Sequence, residues 1–126
     1  MDNTTKLTHF AEHLKQADGL LITAGAGMGV DSGLPDFRGD QGFWKAYPPL
    51  KHLGKSFVDM ATPELFHANP KLAWGFYGLR LNAYRAVEPH QGFHLLKKWS
   101  ETLPNLKNGS FVFTSNVDGE FQKVGF

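Results

Sequence analysis

Leu20-Leu21-Ile22-Thr23-Ala24-Gly25-Ala26-Gly27-Met28-Gly29-Val30-Asp31-Ser32-Gly33-Leu34-Pro35-Asp36-Phe37-Arg38-Gly39 joins a short apolar run to four spaced glycines and a Pro-Asp-Phe-Arg turn. Leu20 to Thr23, bounded by Gly19 and Gly25, reads as a strand buried on both faces of a parallel sheet. The glycines let backbone approach a bulky anion, and free N–H groups at a helix start carry partial positive charge. Open α/β sheets bind ligands at the carboxyl ends of their strands, where this loop falls. A tight strand-to-helix turn with no ligand is the competing reading.

Two common phosphate-loop patterns are excluded. Gly-x-Gly-x-x-Gly would put its third glycine at Val30, and no acid ends a second strand some 20 residues on. The triphosphatase loop needs Gly-Lys-Ser or Gly-Lys-Thr after its spacer, which is absent.

Outward from the loop, Leu7, Phe10, Ala11 and Leu14 mark a helical face over residues 5–17, with Thr4 or Thr5 as cap and Asp18-Gly19 as stop. Residues 35–55 carry Gly, Pro, Phe37, Phe43, Trp44 and Tyr47 without clean periodicity. They read as an irregular lid, or as a long loop pinned to the core by its aromatics. Thr62-Pro63-Glu64 starts a short helix ending by Asn69-Pro70. A longer one runs over residues 70–87, with Leu72, Phe76, Leu79 and Ala83 on one face and Arg80 and Arg85 off it. Pro89 opens a further helix with Phe93, Leu96 and Trp99 at core spacing, and Ser110 to Thr114 reads as a second buried strand after the Asn108-Gly109 turn.

About 85 residues separate the strands, against about 30 in a simple βαβ unit. The expected fold is therefore α/β. It is expected to be part of a Rossmann-like parallel sheet with flanking helices, a lid loop over about 35–55 and a helical insertion over about 56–103. Residues 1–126 form one unit.

Composition narrows the function classes. In 126 residues, 41% are apolar, with eleven Phe and three Trp, so a packed chain is expected rather than a disordered one. Thirteen basic against twelve acidic residues leave a net charge of +1, which gives no reason to expect a nucleic-acid partner. Without cysteine, these residues hold neither disulfide nor cysteine zinc site. MDNTTKLTHFAEHLKQAD lacks the apolar core of a signal peptide and no window approaches a membrane span, so no membrane partner and a cytoplasmic location are expected. His9 with His13, and His90 with His94, stand at i and i+4 without a third ligand nearby. They read as surface or capping residues, and no metal site is expected.

Thr114-Ser115-Asn116-Val117-Asp118-Gly119 follows the second strand and falls at the same rim as the glycine loop. Asn offers donor and acceptor, and an ionised Asp accepts from an NH2 group, so the pair can grip a carboxamide. Asn-x-Asp-Gly is also a common turn or helix cap.

Together the two segments resemble the sirtuins, the NAD-dependent protein lysine deacylases. The family signature Gly-Ala-Gly-x-Ser-x-x-Ser-Gly-Ile-Pro-Asp-Phe-Arg-Gly is matched from Gly25 to Gly39, with Gly29 for Ser and Leu34 for Ile. The second, Thr-Gln-Asn-Ile/Val-Asp, is matched from Thr114 to Asp118 with Ser115 for Gln. Gly42-Phe43-Trp44, Thr62 to Phe66 and Pro89 to His94 resemble family segments in the same order.

The resemblance implies NAD+ as cofactor. Ala24, Gly25, Ala26, Gly27 and Met28 would line the pyrophosphate, Asp36 and Arg38 would belong to the cofactor loop, and Phe37 would cover the nicotinamide ribose. Asn116 and Asp118, the catalytic candidates, would hold the nicotinamide carboxamide, and Ser115 would stand near a ribose. The family's chemistry breaks the nicotinamide glycosidic bond through an oxocarbenium-like state trapped by the acyl-lysine amide oxygen, so a loop that excludes water has a purpose. Gly29 and Ser115 each remove a polar group expected near the cofactor.

In the family, the general-base His and four zinc-binding cysteines lie beyond the position equivalent to Phe126. The expectation is thus an N-terminal portion, inactive alone, with zinc only in the part beyond. An acylated protein lysine is the implied substrate of the parent, and the unpaired sheet edge is an invitation to self-association. NAD glycohydrolase or ADP-ribosyltransferase activity on the same scaffold, and a non-catalytic NAD or ADP-ribose module, are the alternatives.

Overall fold

A computed structural model of the chain describes residues 2–36 and 39–126, which leaves the expectations for Phe37 and Arg38 outside the described residues. Helix α1 (Asn3–Gln16) leads into strand β1 (Leu20–Ala24) and a 3-10 helix (Ala26–Ser32). Six helices follow: α2 (Asp40–Ala46), α3 (Pro48–His52), α4 (Phe57–Met60), α5 (Pro63–Ala68), α6 (Pro70–Ala86) and α7 (Gln91–Thr102). Strand β2 (Ser110–Thr114) and helix α8 (Glu120–Lys123) complete the order.

The strands pair in parallel, from Leu20 opposite Ser110 to Ala24 opposite Thr114. A parallel pair cannot be joined by a hairpin, so the whole helical insertion serves as its crossover. The equal register brings both carboxyl ends to one rim. The glycine loop and the Ser115–Gly119 turn emerge there together.

Two apolar clusters hold the chain. Under the sheet, Ile22 meets Phe93 of α7 and Phe121 of α8, with Ala24, Met28 and Val112 packed around them. Phe93 and Phe121 pack edge to face with ring centroids 4.8 Å apart, a geometry that adds to the 1.5–3 kcal/mol typical of burying such a side chain. In the insertion, Phe43, Tyr47, Leu50, Met60 and Phe76 form the second cluster.

The sheet is covered on one side. Its strands were expected to be buried on both faces, yet Leu21, Phe111 and Phe113 are each 67% exposed while Ile22 is 7% exposed. Side chains alternate along a strand. Helices α7 and α8 cover one face, and no described residue covers the other.

The first helix differs in the same way. Its cap is Asp2, whose side chain accepts from Thr5 N–H at 2.7 Å, rather than Thr4 or Thr5. Leu7 and Phe10 on its apolar stripe stay mostly exposed, and no residue of α1 is buried. Its ties are a Phe10–Trp99 ring contact at 6.0 Å and an Asn105 amide donating to Lys15 O at 2.8 Å.

Residues 35–55, read as irregular, contain α2 and α3. Phe43 is fully buried, Tyr47 nearly so, and Trp44 Nε1 donates to Lys55 O at 2.9 Å, so these aromatics anchor the segment to the insertion's core. Helix α4 begins with a capping box in which Ser56 and Asp59 satisfy each other's backbone N–H groups.

Candidate functional site

Where the two loops meet, a cleft of about 490 Å³ opens at the strand ends. Gly25, Ala26, Gly27 and Asp36 form one wall, and Ser115, Asn116, Val117 and Asp118 form the opposite one. The insertion closes the third side with Phe57, Arg80 and Tyr84.

Each wall is tied to the other through the strand register. Thr114, opposite Ala24, donates from its hydroxyl to Ala24 O at 2.7 Å and accepts from Asn116 N–H at 3.0 Å. Asn116 Nδ2 then donates to Gly25 O at 2.8 Å. The amide nitrogen named in sequence as a carboxamide grip thus also staples the glycine loop. Asp118 Oδ1 accepts from Glu120 N–H at 3.0 Å, which orients the carboxylate beside Asn116.

The glycines divide into two kinds. A Cβ on Gly25 or Gly27 would meet no atom within 4 Å, and neither residue has a positive φ. Nothing in the packing of the described residues demands a glycine at those two places, which face the cleft. Bare backbone there leaves room for a bulky group to lie against it. The first N–H groups of the 3-10 helix, at Ala26 and Gly27, have no partner within the helix, and the helix start favours negative charge. A diphosphate fits this cradle.

From below, His90 secures the loop. Its Nδ1 accepts from Gly92 N–H at 3.0 Å, capping α7, so Nε2 carries the hydrogen and donates to Met28 O at 2.9 Å. His90 N–H donates to Ser32 Oγ at 3.0 Å. His90 is a capping histidine, as one of the two readings of the histidines had it.

Arg80 is the residue that sequence reasoning misplaced as off the apolar face. Its guanidinium donates to Tyr84 Oη from Nε at 3.1 Å and Nη2 at 2.6 Å, and lies 5.2 to 5.8 Å from the ring centres of Phe57, Phe76, Tyr77 and Tyr84. Cation–π attraction fixes that cation on the cleft wall. Nearby, burial pushes the Tyr47 phenol up to about 12 although Arg80 opposes the shift. The aromatic residues spaced around Arg80 in sequence were the available signal.

Of the sequence-named candidates, Gly25, Ala26, Gly27, Asp36, Ser115, Asn116 and Asp118 line one cleft. Ala24 and Met28, expected beside them, are not part of its lining: both pack against the cluster under the sheet, and their carbonyl oxygens accept from Thr114 and His90. Among the described residues, no group of three or more His, Cys, Asp or Glu side chains could hold a metal ion.

Comparison with known proteins settles the ancestry. Residues 25–126 match the model of the Sir2 family. The chain belongs to the Sir2 family. This sirtuin chain is 35% identical over 106 residues to an NAD-dependent protein deacylase of Aquifex aeolicus, covering 84% of the chain and 39% of that protein. It is 31% identical over 122 residues to the mitochondrial NAD-dependent protein deacylase sirtuin-5 of Danio rerio, covering 97% of the chain and 37% of that protein. Among solved structures, a mutant Sir2 homologue in complex with 2'-O-acetyl ADP-ribose superposes with a TM-score of 0.72 at 26% identity, covering all of this chain and 44% of the other. A second mutant Sir2 homologue, in complex with ADP-ribose, gives 0.70 at 26% identity over 99% of this chain and 43% of the other. The chain therefore spans about 40% of the length of the relatives it matches. The α/β architecture, with its two-stranded parallel sheet and helices, corresponds to part of the Sir2 structures.

Proposed function

We propose that this sirtuin chain is the NAD+-binding portion of an NAD-dependent protein lysine deacylase. The observation that carries the reading is the pair Gly25 and Gly27, left bare toward the cleft with no steric need of their own. NAD-dependent activity in the relatives and ADP-ribose complexes in the structural neighbours support it.

Gly25, Ala26 and Gly27 hold the pyrophosphate on backbone N–H groups, and Arg80 supplies a fixed positive charge at the cleft wall. Asn116 and Asp118 receive the nicotinamide carboxamide, with Ser115 toward the ribose. When bound, NAD+ supplies a glycosidic bond to nicotinamide whose cleavage exposes an electrophilic ribose carbon. The aromatic wall of the insertion limits water at that place, which favours capture by an acyl-lysine oxygen over hydrolysis.

The complete protein, incubated with NAD+ and an acetylated or otherwise acylated peptide, should release nicotinamide in step with deacylation. Release without peptide would point to a glycohydrolase, release with ADP-ribose attached to protein would point to a transferase, and saturable binding without release would point to a sensor. Each of these three results would displace the deacylase reading.

A further inference from the structure

Two residues beyond Asp118 of the cleft wall lies the one fully buried carboxyl group among the described residues. Glu120 is 0% exposed, and neither of its carboxyl oxygens makes a hydrogen bond of good geometry among the described residues, although the Ser32 hydroxyl faces it closely enough to stabilise its charged form. Its backbone is fixed from behind: Gly119 holds φ 76°, a left-handed conformation suited to glycine, and Glu120 N–H is held by Asp118. Its carboxyl end reaches the opposite loop. A Cβ on Gly29 would stand 2.9 Å from Glu120 Oε2 and 3.0 Å from Leu34 Cδ1. Unlike Gly25 and Gly27, Gly29 is bare because this chain's own carboxyl group needs the room.

As mere filler, a carboxyl group is a poor choice, since burying it with so little compensation costs free energy that an apolar side chain of similar size would not. We propose that Glu120 is a positioning residue for the glycine-rich loop, its carboxyl group wedged beneath Gly29 and Ser32 so that it sets the loop's height against the Asn116–Asp118 turn. The inference rests on the dinucleotide reading of the cleft.

Burial raises the acid's pKa, with the Ser32 hydroxyl opposing, Asp118 adding to the rise, and His90 and Lys123 opposing it. These are the groups that face it. In its neutral form the wedge leaves the loop receptive to a diphosphate. Ionised, it sets a negative charge under the bound anion, so affinity falls as pH rises through the titration of Glu120.

Calorimetric titration of the complete protein with ADP-ribose tests this, using the wild type, Glu120→Gln, Glu120→Ala, Gly29→Ala and the double variant Gly29→Ala with Glu120→Ala. Thermal melting confirms that each is folded. Glu120→Ala and Gly29→Ala each weaken binding about tenfold, the first by dropping the loop and the second by a clash. The double variant binds no worse than the weaker single one, because the two residues share one contact. Glu120→Gln keeps the wedge, binds within about twofold of wild type at the acid end of a pH series, and lacks the wild type's loss of affinity toward the alkaline end. Comparison with that variant isolates Glu120 from His90, which remains in both. Wild-type affinity in Glu120→Ala, strict additivity in the double variant, or an unchanged pH profile in Glu120→Gln would each overturn the proposal. Absence of ADP-ribose binding in the wild type would instead overturn the dinucleotide reading on which it rests.

Discussion

Asn116 Nδ2 donates to the carbonyl oxygen of Gly25 at 2.8 Å, joining residues 91 positions apart in the chain. One hydrogen bond thereby ties the Ser115–Gly119 turn to the glycine-rich loop. Any ligand spanning both parts meets a prearranged surface rather than two independent loops.

Replacing Asn116 by Ala should cost about 1 kcal/mol of stability, the usual worth of such a bond. It should cost ADP-ribose affinity about tenfold or more, since the loop loses its staple. Asn116→Asp should fare worse, because it sets a carboxylate oxygen against the Gly25 carbonyl. Urea unfolding and calorimetry on the same samples give both numbers.

Gly27→Ala should separate fold from function. The added methyl group enters open space at a residue without positive φ, so stability should hold or rise by about 0.4–1 kcal/mol through the unfolded state. ADP-ribose affinity should nevertheless fall about tenfold or more. Equal affinity in this variant would mean that the ligand does not lie on the loop.

Stability should also depend on pH in two opposite ways. Burial raises Glu120, so the folded state keeps a proton that the unfolded chain releases, and stability declines as pH rises from the usual carboxyl range toward the raised value. Asp2 and Asp59 run the other way: the N–H groups of Thr5 and Ser56 hold their carboxyls low, so their contribution is present above the usual range and is lost as pH falls below it through the lowered values. Urea midpoints across pH should therefore peak near the ordinary carboxyl range. Glu120→Gln should flatten the alkaline side alone.

Two phenylalanines test the one-sided sheet. Phe93→Ala, from the buried face, should cost about 3–5 kcal/mol. Phe113→Ser, from the exposed face, should cost under about 1 kcal/mol. Any self-association of the chain through the open face should weaken in Phe113→Ser, as read by sedimentation.

Much of the frame was legible because strong local patterns coincide with it. Leu20 to Thr23 and Ser110 to Thr114 are short apolar runs between turn signals, and each is a strand in the structure. The long helix read over residues 70–87 is observed as Pro70–Ala86 with Asn69 as its cap. The site's two halves were legible for the same reason: both loops follow strands whose parallel pairing sends them to one rim.

What escaped depends on partners remote in sequence. Helices α2 and α3 are only seven and five residues long, too short for a 3.6-residue period to repeat among the prolines and aromatics of that segment. The exposure of Phe111 and Phe113 depends on what covers the second face, which alternation along a strand cannot reveal. Arg80 was read by its charge, whereas its flat guanidinium packs on four rings. Glu120 looks like a first-turn acid on a short helix, a place where carboxylates usually face water, and only the fold brings Gly29 over it.

The most direct test of the dinucleotide cleft is a crystal structure of the complete protein with ADP-ribose. The account predicts the diphosphate against the backbone N–H groups of Ala26 and Gly27, with the distal ribose directed toward Ser115 and Asn116. A diphosphate bound elsewhere, or a ligand that avoids the Gly25–Asn116 junction, would contradict it.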